Sequence, residues 1–232
     1  MKKLKVDLHI HTREDPEDLI RYSACALIDR ARDLGFDALS ITGHNAVIDN
    51  REIRSRAERR DILLLPGMEA TLSGKHVLVI NPGFLRNPEN RPLRDLTRIK
   101  NGRNLIIAPH PFFPQSKSLK SKLFEYQELF DAVEFSHFYN PLVNFNRRAV
   151  RAAALLRKPL VGTSDCHFLF EFGTTYSLIE AKKDPDAIME AVKNGRIEVR
   201  STPLSVWQMA KFSALALGMK LRMMEKRPGR RQ

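Results

Sequence analysis

Residues 1–15 read MKKLKVDLHIHTRED, and the run from Asp7 to His11 places polar residues at alternate positions of an otherwise apolar stretch. This alternation predicts a β-strand from Leu4 to His11, because residues two apart in a strand point to the same face of the sheet. The imidazoles of His9 and His11 should therefore lie side by side. Burying polar side chains without partners costs free energy, so the two histidines are either a pair of ligands or an unfavourable accident.

Beyond this strand, short strand-like runs alternate with helix-like runs over most of the chain. The further predicted strands are 38–42, 62–71, 76–80, 104–108, 132–136, 159–163, 174–181 and 197–201. The predicted helices are one that Ser23 caps and that ends before Gly35, then 51–60, 93–100, 122–130, 146–157, 185–194 and 204–225. The alternation is typical of βα units around a largely parallel sheet, either closed as a barrel or open.

The segment 63–80 breaks the alternation, because two strand-like runs in it are separated only by Ser73-Gly74. This pattern predicts a hairpin whose two-residue turn places Thr71 opposite His76. Glu69 and His76 would then be diagonal neighbours on one face of the sheet. The hairpin would bring a carboxylate and an imidazole that are separated along the chain to within a few ångströms of each other.

The chain has 232 residues, of which 43% are hydrophobic, so a single domain with a sizeable core is the simplest interpretation. The formal charge of +12 indicates an anionic partner, whether nucleic acid, an acidic membrane surface or a phosphorylated metabolite. Solvated helix faces explain the basic runs equally well, so charge alone selects no partner.

The cellular location follows from features that the sequence lacks. Only two cysteines are present, Cys25 and Cys166, and the N-terminal charges are not followed by the apolar segment of a signal peptide. No apolar run approaches the ~20 residues that a membrane-spanning helix requires. We therefore expect a reduced, cytoplasmic protein without a transmembrane segment. The sequence does not indicate an oligomeric state.

None of the seven histidines lies in a predicted helix, and five of them end an apolar run, in DLHIH, ALSITGH, LIIAPH, VEFSH and LVGTSDCH. Functional side chains of α/β folds gather at the C-terminal ends of the strands, so the histidines should meet at one mouth. Glu69, Asp165 and the acidic residues that follow His11 should join them. Mixed histidine and carboxylate ligands suit Zn, Mn or Fe(II), and about nine of them fit two or three ions.

Five motifs in register resemble the PHP superfamily, which is named for polymerase and histidinol phosphatase. They are D7-LHIHT, L39-SITGHN, P66-GMEA, A108-PHP and G162-TSDCH. The runs F172-GTTYSLIEA and D184-PDAIMEAVKNG resemble the C-terminal extension of that family. This resemblance implies a distorted seven-stranded β/α barrel, similar to a TIM barrel, with a trinuclear metal centre that hydrolyses phosphate esters.

The resemblance also implies a ligand set. His9, His11, Glu69 and Asp165 would hold a first ion, Glu69 would bridge to a second held by His76 and His110, and His44, His167 and an acidic residue would hold a third. The loop that should supply the acidic residue departs from the family pattern, because R13-EDPED stands where S-D-G is usual. Asp15 is our choice there and Glu17 the next, so two or three ions are expected. Arg13 is expected to contact the substrate, and His137 is expected either to contact it or to have a structural role.

We therefore expect an enzyme, a metal-dependent phosphoesterase whose nucleophile is a hydroxide that bridges two ions. The expected substrate is a small phosphomonoester such as a nucleotide or histidinol phosphate. A nuclease or phosphodiesterase that acts on nucleic acid ends is the alternative, motivated by the positive charge, and a non-catalytic module that binds a partner is a second. Residues 1–200 would form the phosphoesterase barrel, and residues 201–232 a basic C-terminal helix and tail.

Overall fold

The strands of the computed structural model, which describes residues 3–83, 85 and 87–225, form two five-stranded sheets. They are β1 (Lys3–Ile10), β2 (Ala38–Ile41), β3 (Leu63–Leu64), β4 (Gly67–Leu72), β5 (Lys75–Ile80), β6 (Leu105–Ala108), β7 (Ala132–Ser136), β8 (Leu160–Thr163), β9 (Thr175–Glu180) and β10 (Ile197–Ser201). The helices are α1 (Ala24–Asp33), α2 (Arg51–Arg59), α3 (Leu96–Ile99), α4 (Lys122–Glu125), α5 (Asn146–Leu155), α6 (Pro185–Lys193) and α7 (Val206–Glu225). The fold is thus mixed α/β, as expected.

The first sheet has the order β10-β9-β1-β2-β3, and the second has the order β4-β5-β6-β7-β8. Parallel pairing joins β1 to β2 and β6 to β7 to β8, whereas β4, β5, β9 and β10 pair antiparallel. Two isolated bridges connect the sheets, one between Ile10 and Cys166 and one between His44 and Glu69. Both bridges lie where the histidines that end the strands are found.

The described residues do not form the closed seven-stranded barrel that the resemblance implies, because hydrogen bonding between their strands gives two separate sheets. The reason lies at one edge of β1. There β9 pairs antiparallel with β1 from Lys3 to Val6, so this edge is not available to β8. Only beyond the ladder, at Ile10, does the segment after β8 reach β1.

The predicted hairpin is confirmed, with Thr71 opposite His76 and with Ser73 and Gly74 as the turn. Both turn residues have positive φ angles, 48° and 71°, which suits a two-residue hairpin turn. Glu69 lies opposite Leu78 and is therefore the diagonal neighbour of His76.

Most predicted helices are also found, and Ser23 caps α1 by accepting a hydrogen bond from the backbone N–H of Ala26. Two are shorter than predicted. The segments 93–100 and 122–130 form single helical turns, α3 and α4, next to 3₁₀ turns at 93–95 and 127–129. Few side chains of these segments are buried, so a longer helix would gain little from packing.

The C-terminal helix α7 packs on the domain through Phe212, whose ring centroid lies 4.6 Å from that of Phe138. Packing on the domain is one of the two roles that the pattern of apolar and basic residues in 204–225 allows, the other being an amphipathic helix that binds an acidic surface or a partner. We expect the tail RPGRRQ (227–232) to be disordered, and this segment lies outside the described residues. None of the described helices is both long and apolar enough to cross a bilayer.

Candidate metal centre

The two sheets bring the predicted ligands together at one end. All nine have a ligand atom within 4.8 Å of two others, and they are His9, His11, Asp15, His44, Glu69, His76, His110, Asp165 and His167. The first sheet supplies His9 and His11 from β1 and His44 from the segment after β2. The second sheet supplies most of the others. The sequence therefore predicted which side chains meet.

Four donor atoms converge most closely. The Nε2 atoms of His9 and His11 are 3.1 Å apart, and Oδ1 of Asp165 is 3.4 Å from each of them. Oε2 of Glu69 is 3.6 Å from His9 Nε2 and 3.4 Å from His11 Nε2. Four donors that surround a zinc ion at ~2.1 Å are separated by about 3.4 Å from one another, so this spacing is that of a tetrahedral site.

Whether this cluster fits a cation depends on which nitrogen atoms of His9 and His11 are protonated. Nδ1 of His9 is 2.7 Å from Oε1 of Glu134, and Nδ1 of His11 is 2.9 Å from Oδ2 of Asp15. When each Nδ1–H donates to its carboxylate, both Nε2 lone pairs point at each other and at further carboxylate oxygens. Such a meeting of buried lone pairs is unfavourable unless a proton or a metal ion lies between them. The donor set therefore fits a metal ion.

Electrostatic coupling within the cluster is strong. Burial by itself lowers the pKa of His9, but the carboxylates of Asp165 and Glu134 raise it well above its ordinary value. Burial by itself raises the pKa of Glu69, yet His76 and His9 hold it well below its ordinary value. A cation that binds here replaces protons on the imidazoles, so its affinity rises with pH.

The carboxylate of Glu69 lies between two groups of histidines. Its Oε1 atom is 2.6 Å from Nδ1 of His76 and 3.0 Å from Nε2 of His110. Its Oε2 atom faces His9 and His11 and is also 3.0 Å from Nε2 of His44. One oxygen for each group is the arrangement that a bridging ligand requires.

The backbone is unusual at two of these positions. His110 and Asp165 have φ angles of 27° and 43°, in the left-handed region that residues other than glycine rarely adopt. Each follows the end of a buried strand, β6 and β8. Backbone strain of this kind is often found at functional sites, where the surroundings hold the residue in place.

The acidic loop after His11 divides its carboxylates between two tasks. Oδ2 of Asp15 accepts the backbone N–H of His44 and lies 3.0 Å from Nδ1 of that ring, as well as 2.9 Å from Nδ1 of His11. Its Oδ1 atom accepts the backbone N–H groups of Glu17 and Asp18. Asp15 thus contacts the two rings on their Nδ1 side, which orients them.

His167 is paired with a different carboxylate of the same loop. Oδ2 of Asp18 lies 3.0 Å from Nε2 of His167, while Nδ1 of His167 is 2.9 Å from the backbone carbonyl of Asp165. Glu17, the second choice from the sequence, accepts a hydrogen bond from Asn45 and lies 3.5 Å from Lys117. Asp18 is therefore the loop carboxylate that faces His167.

Sequence reasoning missed Glu134, which is fully buried in β7. Its Oε1 atom faces His9 Nδ1 and accepts the hydroxyl of Thr163, and its Oε2 atom accepts the backbone N–H of His110. The available signal was a glutamate within the apolar run A132-VEFS. A carboxylate buried in such a strand needs a partner of its own, and here the partners include two candidate ligands.

Replacing Glu134 by Gln should weaken binding of the first ion about 10- to 100-fold, the usual effect of losing a partner that orients a ligand. The amide places an NH₂ group against either His9 Nδ1–H or the His110 N–H, so one of the two hydrogen bonds is lost. Calorimetric titration with Zn²⁺ measures the change, with Glu128→Gln, an exposed position, as control. Equal affinities in both variants would show that Glu134 does not orient His9.

The two residues predicted to contact substrate differ in their placement. His137 is 2% exposed, and within the described part of the chain neither ring nitrogen has a hydrogen-bond partner, although Oε1 of Glu171 is 3.7 Å from Nε2. It lines a cleft of about 630 Å³ together with the metal cluster. Arg13 is exposed and is not among the described residues that line this cleft.

Comparisons with known proteins support the resemblance inferred from the motifs. A family model described as PHP-associated matches residues 143–197, which extend from the loop after β7 to the start of β10. The uncharacterized protein MJ1587 of Methanocaldococcus jannaschii is 25% identical to this chain, over 59% of the chain and 84% of its own length.

Two solved structures share the fold. One is a two-domain protein from Bacteroides vulgatus containing a predicted PHP-like metal-dependent phosphoesterase, with a TM-score of 0.69, 21% identity and 86% of this chain covered. The other is the lesion-specific endonuclease EndoQ from Pyrococcus furiosus, with a TM-score of 0.54, 16% identity and 85% covered. This chain spans 65% and 57% of their respective lengths. At these identities the likeness is one of fold.

Proposed function

We propose that this chain is a metal-dependent phosphoesterase of the PHP superfamily that hydrolyses small phosphomonoesters. The observation that carries the proposal is the convergence of His9 Nε2, His11 Nε2 and oxygens of Glu69 and Asp165 at spacings that fit a metal ion. Divalent ions at such a site, Zn, Mn or Fe, supply activated water and neutralise the charge of the phosphate.

The contacts favour three groups of ligands. His9, His11, Glu69 and Asp165 are proposed for the first ion, and Glu69, His76 and His110 for the second. For the third we propose His44, His167 and Asp18 rather than Asp15. One oxygen of Asp18 lies 3.0 Å from Nε2 of His167 and 3.8 Å from Nδ1 of His44, whereas the ring contacts of Asp15 are with His11 and His44. Asp15 and Glu134 then orient the rings of His11 and His9.

Metal content by mass spectrometry, combined with hydrolysis of a panel of phosphomonoesters and phosphodiesters, tests the proposal. We expect two or three ions per chain and hydrolysis of monoesters that is lost on chelation and restored by Zn²⁺ or Mn²⁺. A chain that keeps its ions but hydrolyses no ester of the panel would disprove it. That result would instead favour the non-catalytic module.

A second function, processing of nucleic acid ends, is favoured by a neighbouring cavity of about 540 Å³. This cavity shares Phe113 and Phe145 with the metal cleft, and its lining also includes Phe112, Lys120 and Arg148. Neither cation forms an ion pair among the described residues. Aromatic rings beside free cations suit the base and phosphate of an adjoining nucleotide.

Salt dependence distinguishes the two functions. Cleavage of an oligonucleotide end should fall steeply as salt concentration rises, because each phosphate contact releases counterions. Replacing Lys120 and Arg148 by Ala should make that dependence shallower. Hydrolysis of a small monoester should depend on salt far less.

A further inference from the structure

Phenylalanine side chains form much of the wall of the metal cleft. They are Phe113, Phe138, Phe145, Phe168 and Phe212, and all five are half-buried. The first four lie in the segments that follow β6, β7 and β8. His110 and Asp165 lie in the segments after β6 and β8 as well. Phe212 comes from α7, outside the segment matched by the family model. The C-terminal helix thus contributes directly to the cleft.

Phe212 is the centre of a small aromatic group. Its ring centroid lies 4.6 Å from that of Phe138 and 5.7 Å from that of Phe168. Apolar rings that remain partly exposed to water beside a cluster of charged groups are unfavourable in the free protein. Clefts with apolar walls and a few well-placed polar groups are typical of small-molecule sites.

His137 provides a second and independent observation. Its ring centroid lies 6.1 Å from that of Phe212 and 6.2 Å from that of Phe138. Among the described residues neither of its buried nitrogens has a hydrogen-bond partner, Oε1 of Glu171 being 3.7 Å from Nε2. Buried polar atoms are nearly always paired, so the absence of a partner at a residue that lines a cleft indicates a ligand that supplies one. A planar ring with polar atoms on its edge explains both features.

We infer that Phe212, together with Phe138 and Phe168, binds the planar heterocycle of a phosphomonoester, with His137 hydrogen-bonded to the edge of that ring. The inference rests on the proposed function and specifies its substrate class as nucleoside monophosphates or closely similar esters. The phosphate then lies at the metal cluster and the base lies against α7. Phe212 is a specificity-determining residue under this arrangement.

Ribose 5-phosphate has the same ester linkage as the four common nucleoside 5′-monophosphates but lacks the base. Comparing kcat/KM for these compounds therefore isolates the contribution of the aromatic wall. Stacking of one base on aromatic side chains corresponds to a preference of roughly 10- to 100-fold. We expect at least one nucleotide to exceed ribose 5-phosphate in kcat/KM by this factor. Phe212→Leu should lower that ratio about tenfold, and His137→Leu should lower it as well.

Trp207→Leu is the matched control, because it removes an aromatic ring from the same helix at a side chain that is 85% exposed. It should leave the ratio unchanged. Because the ratio compares two substrates of one preparation, a partly unfolded variant does not alter it. No preference for any of the four nucleotides, or a preference that Phe212→Leu keeps in full, would overturn the inference.

Calorimetric binding of the same compounds to the metal-loaded protein separates this inference from the proposed function. If nothing is hydrolysed but a nucleotide binds tighter than ribose 5-phosphate, and Phe212→Leu removes the difference, the aromatic wall is a nucleotide site and only the catalytic proposal fails. Equal affinities for all five compounds would disprove the nucleotide site whether or not esters are hydrolysed.

Discussion

Glu69→Gln is expected to abolish phosphoester hydrolysis, with a loss on the order of 10³-fold or more, and to lower the metal content of the chain. The two oxygens of Glu69 face different groups of histidines, so the substitution removes a negative charge from two sites at once. Because water activation and charge neutralisation both require adjacent ions, losing the bridge should affect every part of the chemistry.

Glu58→Gln serves as the control, since it makes the same change on the exposed face of α2. Mass spectrometry of the dialysed proteins measures bound metal, and circular dichroism checks that the variant folds. Folding should persist because the amide has nearly the shape of the carboxylate. If Glu69→Gln kept both its full metal content and its activity, the bridging role would have to be abandoned.

Asp18→Asn is expected to release about one ion per chain and to lower kcat/KM by roughly 10²- to 10³-fold, since one ion contributes several kcal/mol of charge stabilisation. The ions held by Glu69 and its neighbours should remain. Although burial raises the pKa of Asp18, its hydrogen bond with His167 lowers the pKa below its ordinary value. The carboxylate is therefore charged and available as a ligand at neutral pH.

Two further variants of the same loop make this test selective. Asp15→Asn should weaken metal binding by loosening the rings of His11 and His44, without the loss of one particular ion. Glu17→Ala removes an equal charge from a residue that contacts Asn45 and Lys117, and it should retain all ions. If Asp15→Asn releases one ion while Asp18→Asn does not, the choice made from the sequence is right and the choice made from the geometry is wrong.

Local patterns explain why much of this site could be predicted from the sequence. The position of His76 relative to Glu69 follows from a two-residue turn, and the pairing of His9 with His11 follows from strand alternation. Glu134 escaped prediction because its contact with His9 spans 125 positions and depends on how β7 faces β1. No periodicity within a single segment contains that information.

The same limit applies to Asp18, Phe212 and the barrel. Four carboxylates of one short loop are equivalent by composition, and only the conformation of the loop places Asp18 against His167. In the sequence, Phe212 is one of several apolar residues of an amphipathic helix. Only the position of α7 beside the cleft distinguishes it from the others. Closure of the sheet depends on whether β8 or β9 takes the edge of β1, which is a competition between distant segments.

The connection between the two sheets gives the metal centre a mechanical role as well as a chemical one. Besides the apolar core that they share, the sheets are joined by two isolated backbone bridges, Ile10 with Cys166 and His44 with Glu69, and both bridges lie at the metal cluster. The proposed first ion takes His9 and His11 from one sheet and Glu69 and Asp165 from the other. Each such ion is a cross-link, so part of its binding free energy holds the two halves of the molecule together. Loss of metal would remove this cross-link at one end of the sheets, whereas the apolar core that both sheets share, with Leu8 from one and Ile107 from the other, would keep them packed.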